Sequence, residues 1–141
     1  MSDRDDLKAL ADDLARRFVA KGFTVHRYDA YSTDSVYLKL DWGACNSVRI
    51  SDHPGKKHLK YRYNIGSWIK EGRHEGVNGK YPRHYYQAKH ADRLVKRAVA
   101  DREERIEKRG EDGYRSLVDL GREQAASARS GFWPQARKVG A

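Results

Sequence analysis

The chain has 141 residues, enough for one domain with a real core and too few for two full domains. Apolar residues make up 38% and charged residues 35%, so the core is small and the charged surface large. A formal charge of +9 favours polyanionic partners, and the single cysteine, Cys45, excludes an internal disulfide and a cysteine-built metal cage.

The first element predicted is an amphipathic helix over Ser2–Lys21. Ser2 is a good N-cap with Asp5 three residues on, a capping box with Asp in the Glu position. Asp3, Asp5 and Asp6 suit the positive end of the helix dipole, and Arg16, Arg17 and Lys21 the negative end. Leu7, Leu10, Ala11, Leu14 and Phe18 form one apolar stripe, and Gly22 is the stop.

Four strands follow. Phe23–Tyr28 is the first, with Phe23 and Val25 toward the core and His26 and Tyr28 on the other side. In Ser35–Asp41, Val36, Leu38 and Leu40 alternate with Tyr37 and Lys39; in Ser47–Ser51, Val48 and Ile50 alternate with Arg49. In the run from His58 to Ile65, Leu59, Tyr61, Tyr63 and Ile65 alternate with His58, Lys60, Arg62 and Asn64. Successive side chains face opposite sides of a sheet, so one face is apolar and the other basic and partly aromatic. Connections of hairpin length, Trp42–Asn46 with its glycine and Asp52–Lys57 with Pro54-Gly55, predict an antiparallel meander.

Gly66–Pro82, with four glycines and one proline, reads as a loop whose start Trp68 and Ile69 pin to the core. Its Gly76–Tyr81 stretch lacks the spacing and the hydroxyl that a P-loop needs. A second helix is expected from Arg83 or His84 to about Lys108. Its apolar stripe is Ala88, Ala91, Leu94, Val95, Ala98 and Val99; its charged side carries Arg93, Lys96 and Arg97. Charges of alternating sign continue to Asp112, with Gly110 and Gly113 as breaks. Tyr114–Ala128 reads as a weaker helix, and Ser130–Ala141 as a basic tail with Phe132 and Trp133.

These elements predict an α+β fold: a four-stranded antiparallel sheet packed by the N-terminal helix and a longer charged helix, Tyr85–Lys108. Residues 1–108 form the core domain, and 109–141 a charged, weakly helical or flexible C-terminal extension. The candidate contact surface is the polar sheet face, with Tyr37, Lys39, Arg49, His58, Lys60 and Arg62, backed by Arg93, Lys96 and Arg97 on the second helix. Lysines and arginines neutralise phosphates, and tyrosines stack on bases. The bland alternative is an ordinary solvated face, or one covered by the C-terminal helix. Asp52-His53, Asn64 and His74 follow the loose order of an HNH-type nuclease, but no residue is assigned as catalytic or as a metal ligand.

The order of helix, strand, a strand ending in Arg49-Ile50-Ser51-Asp52-His53, a Tyr-rich returning strand and a charged helix resembles small proteins of phages and mobile elements. Within it, Val48–His53 is similar to the "IRLSNH"-like strand end of a type II anti-CRISPR family. This chain lacks that family's basic N-terminal arm. The resemblance implies a non-enzymatic inhibitor without cofactor that binds a CRISPR effector or its guide or target nucleic acid. The alternative is a basic DNA- or RNA-binding accessory protein. No apolar run reaches the ~20 residues of a membrane-spanning helix, and the opening MSDRDDLK is acidic where a signal peptide is basic. The expectation is a protein in the cytoplasm of a bacterial host.

Overall fold

The computed structural model describes residues 3–30, 33–65, 68–70, 73–75 and 83–140. An N-terminal helix, α1 (Asp3–Ala20), precedes strands β1 (Val25–Asp29), β2 (Val36–Leu40), β3 (Ser47–Ile50) and β4 (Tyr61–Asn64). Two short strands, β5 (Trp68–Lys70) and β6 (Arg73–Glu75), form their own pair. Then come β7 (Arg83–Tyr86), the long helix α2 (Ala91–Ser127) and β8 (Arg137–Val139). The fold is α+β, as expected, but the main antiparallel sheet has six strands rather than four, in the order β7-β4-β3-β2-β1-β8.

Both extra strands correct the sequence reading. Arg83–Tyr86 is not the opening turn of a helix. It pairs with β4, Tyr61 opposite Tyr86 and Arg62 opposite Tyr85. Two adjacent tyrosines favour a pleated surface, and β4 offers an edge for them. The helix therefore starts at Ala91, after a single 3-10 turn over Ala88–His90. Arg137–Val139, expected within the tail, pairs with the outer edge of β1. The strand predicted from His58 begins only at Tyr61, because Lys56–Leu59 is still turning, with Leu59 N–H donating to Lys56 C=O at 2.9 Å. Part of the expected Gly66–Pro82 loop is the β5–β6 pair. Residues 66–67, 71–72 and 76–82, including the Gly-rich Gly76–Tyr81 stretch, lie outside the described residues, as do the Ser2 cap and the side chains of Trp68 and Ile69.

The helices share one face of the sheet. Leu7, Ala11, Leu14, Ala15 and Phe18 of α1 meet Val25, Val36, Leu38, Leu40, Val48, Ile50, Tyr61 and Tyr63, and Leu94, Val95 and Ala98 of α2 complete the layer. The predicted alternation in β2, β3 and β4 holds in full. Each large side chain in this layer is worth about 1.5–3 kcal/mol by burial. Helix α1 ends as predicted at Gly22, whose φ of +87° admits a Schellman closure: Phe23 N–H donates to Phe18 C=O and Gly22 N–H to Val19 C=O. Arg27 lies buried on the helix side of β1 and is held by Asp12 and Asp29.

The stretch 109–141, expected as a charged, weakly helical or flexible extension, is helical to Ser127 and docks on the β2–β3 turn. Gly110, at φ +78° and ψ 163°, interrupts α2. Asp41 and Trp42 both have positive φ, +52° and +58°, a strained conformation outside glycine. Fixed partners hold it. Asp41 Oδ1 accepts from Thr24 N–H at 2.9 Å, and Asp41 Oδ2 accepts from the buried Tyr114 hydroxyl at 2.5 Å. Gly121 lies so close that a methyl there would collide with the Trp42 carbonyl. The turn's other end is tied to α2 by Asn46, which contacts the Tyr63 hydroxyl, Asp101 and Arg105. Burial pushes the Cys45 thiol beside it up to about 12.

Candidate nucleic-acid interface

The sheet face away from the helices is organised in cross-strand rows. Register aligns Tyr28 of β1, Tyr37 of β2, Arg49 of β3, Arg62 of β4 and Tyr85 of β7 in a single row across five strands. The adjoining row runs Lys138, His26, Lys39, Ser47, Asn64 and Arg83. Side chains directly opposite on neighbouring strands are the closest pairs in a sheet. The first row therefore sets two arginines side by side and brackets them with tyrosines.

Neither arginine has an ion-pair partner among the described residues. Arg49 donates to the Ser35 hydroxyl at 3.0 and 3.1 Å and lies 5.7 Å from the Tyr37 ring centre. Ser35 in turn donates to the Ser51 hydroxyl at 2.9 Å. The Nε of Arg62 is buried and has no hydrogen-bond partner. Burial, then Arg49, then Arg83 lower the affinity of Arg62 for its proton. Like charges opposite one another on a sheet destabilise it by roughly 0.2–1 kcal/mol, and a buried unsatisfied donor by about 1–3 kcal/mol. The Tyr28 and Tyr37 rings stack at 6.1 Å with planes 17° apart, leaving both half-buried on this face.

At the row's far end stands His53. Its ring is 3% exposed and meets the Tyr85 ring edge-on at 5.4 Å. Nε2 has no partner. Burial first, then the charges of Arg49 and Arg62, hold His53 below the ordinary histidine value, against the opposing pull of the Lys60 and Arg49 backbone carbonyls. His53 therefore stays neutral near pH 7.

The other candidates fare differently. Lys39 shares the face but lies under the tail, with its ammonium 4.9 Å from the Phe132 ring and 5.0 Å from the Trp133 ring, and burial lowers its pKa. Trp133 also covers His26 at 5.2 Å and stacks on Trp42 at 5.6 Å. Lys60 is ion-paired with Asp52. His58 is exposed in the turn before β4. Arg97 is bound to Asp101, which accepts from the Tyr63 hydroxyl at 2.6 Å, so it belongs to the core network. Arg93 and Lys96 are exposed on α2, which covers the opposite sheet face. The structure thus gathers Tyr37, Arg49 and Arg62, and it does not bring the helix residues to them.

Sequence reading missed Tyr85, His53, Phe132 and Trp133 as members of this surface. The signal for Tyr85 was the aromatic pair Tyr85-Tyr86 after Pro82, which suits a strand better than a helix start. The HNH-like order finds no shared geometry: Asp52 turns to Lys60, His53 to Tyr85, and the side chain of His74 lies outside the described residues. Among the described residues no three His, Cys, Asp or Glu side chains gather as an ion would require. No described helix is long and apolar enough to cross a membrane. The chain finds no match among protein-family models, curated proteins or solved structures.

Proposed function

We propose that this protein acts by binding, not by catalysis, and that it holds a single-stranded nucleic acid or a nucleoprotein on the Tyr28–Tyr37–Arg49–Arg62–Tyr85 row. The observation that carries this reading is Arg49 opposite Arg62 with no acidic partner among the described residues. A sheet built for stability alone would pair or separate these charges. A phosphate backbone supplies the missing counter-charge, and the flanking tyrosines offer platforms for bases. The resemblance at Val48–His53 supports a particular target, the guide or target strand of a CRISPR effector, bound so as to inhibit it. That stretch contains Arg49 and ends at His53, so the resemblance and the charge argument meet in the same residues.

The test is binding of a labelled oligothymidylate, followed by fluorescence anisotropy over a range of salt. Replacing Arg49 and Arg62 together with Glu should weaken binding by at least ~10-fold and flatten the salt dependence by about one unit of log–log slope per lost phosphate contact. Tyr37→Ala should cost about 1–3 kcal/mol, and that loss should persist at high salt. Unchanged affinity in a folded Arg49/Arg62 double variant sinks the proposal. A parallel pull-down with a guide-loaded effector, with and without nuclease, separates a protein target from nucleic acid carried along.

A further inference from the structure

We propose that Arg49, Arg62 and His53 form a built site for one oxyanion, of the phosphate class, and that His53 takes up a proton as the anion enters. This rests on the reading of the sheet face above and names the point on it where a phosphate seats.

Three observations converge. First, two donors are buried with nothing to donate to: the Nε of Arg62, and Nε2 of His53 in its protonated form. Buried polar groups in folded proteins are nearly always partnered, so a pair left open in one place asks for a ligand. Second, Arg49 and Arg62 are cross-strand neighbours, and the charge of each bears on His53. Third, the surroundings supply no negative charge. His53 faces Arg49 on β3, Arg62 on β4 and Tyr85 on β7, with Lys56 of its own turn lying 4.1 Å from the Tyr85 ring centre. Arg83 adds to the positive field at Arg62. The nearest carboxylate in sequence, Asp52, is already held by Lys60.

An oxyanion among these groups reverses the local potential. It accepts from the two guanidinium groups and from the imidazole. It also removes the repulsion that keeps the ring neutral. Binding and protonation are then linked: each favours the other by the same factor. Tetrahedral oxyanions such as phosphate and sulfate offer enough acceptors for three donors at once. The tyrosines on either side favour a phosphate that carries a base.

Sulfate is the probe, because its charge is constant between pH 5 and 8. The His53 ring is followed by NMR in the full chain, its signal assigned by its loss in His53→Gln. Saturating sulfate should raise the His53 midpoint by at least about one pH unit, and sulfate should bind about 10-fold more tightly at pH 5.5 than at pH 8.0. His53→Gln keeps most of the side-chain volume and should retain the native circular dichroism while losing the pH dependence. Arg62→Gln should weaken sulfate at both pH values. A second arm uses oligothymidylate without a terminal phosphate. If it also raises the His53 midpoint, the backbone phosphate is the ligand. If sulfate moves the midpoint and the oligonucleotide does not, the site holds a free oxyanion and the nucleic-acid reading fails on its own. A His53 midpoint unmoved by saturating sulfate, or the same pH dependence of sulfate binding in folded His53→Gln, overturns the proposal whatever the affinity for the oligonucleotide.

Discussion

Replacing Gly121 with alanine tests whether the second half of α2 belongs to the core. In an open helix this change removes backbone freedom from the unfolded chain and should stabilise the protein by up to about 1 kcal/mol. Here the new methyl would strike the carbonyl oxygen of Trp42, with the carbonyl carbon at 3.1 Å and Cβ at 3.2 Å. Relief needs a retreat of roughly 1 Å by the helix or the turn. The turn resists, because Asp41 is fixed from two sides, by Thr24 and by Tyr114. If the helix retreats instead, the Tyr114 hydrogen bond is stretched and a buried carboxylate loses a donor. Overpacking of this kind costs about 1–3 kcal/mol, and the broken hydrogen bond about 1–3 kcal/mol more. After the propensity gain is subtracted, the expected net loss is roughly 2–4 kcal/mol. Urea unfolding followed by circular dichroism reads this directly, and Tyr114→Phe isolates the hydrogen-bond share. The sign alone decides: a Gly121→Ala protein as stable as the parent, or more so, would mean that residues 111–127 do not rest on the Asp41–Trp42 turn.

Two further outcomes follow from the same packing. Trp133→Ala removes the ring that covers His26 and Lys39 and stacks on Trp42, so it should lower stability by about 1–3 kcal/mol and let the His26 midpoint climb toward its ordinary value near 6.5, as read by NMR; an unmoved midpoint would place the tail elsewhere. The folded-state pKa values of His26 and His53 are both lowered, chiefly by burial. The unfolded chain therefore binds more protons below about pH 6.5, and stability should fall as pH drops through that value, levelling off below the folded midpoints. Urea midpoints at pH 7.5 and pH 5.0 check this, and equal midpoints would contradict it.

What could be read from the sequence was what one-sided burial imposes locally. Val36, Leu38 and Leu40, then Val48 and Ile50, then Tyr61 and Tyr63, each announce their strand because every second residue must be apolar. Parity alone put Arg49 and Arg62 together on the opposite face. The failures are non-local. Nothing within Arg83–Tyr86 says that it will meet β4, and nothing within Arg137–Val139 says that it will meet β1. Which cations stay free depends on partners brought by the fold: Lys60 finds Asp52 across a turn, and Lys39 finds Phe132 and Trp133 from the far end of the chain. Arg97 with Asp101 was the exception, since an i,i+4 pair on a helix is visible in sequence. His53 was noticed for its neighbours in sequence, while its position beside two arginines comes from β3 and β4 pairing.

The pairing of β8 with β1 sets an order of events during synthesis. The outer edge of β1 leaves the ribosome early with its backbone donors and acceptors unmatched, and the strand that covers it is among the last described residues to emerge. For most of translation the nascent sheet therefore carries an open margin, which other strands can join. A pairing between such distant parts of the chain also forms slowly. The sheet's closure, and with it the seating of Phe132 and Trp133 over His26 and Lys39, belongs to the final step of folding.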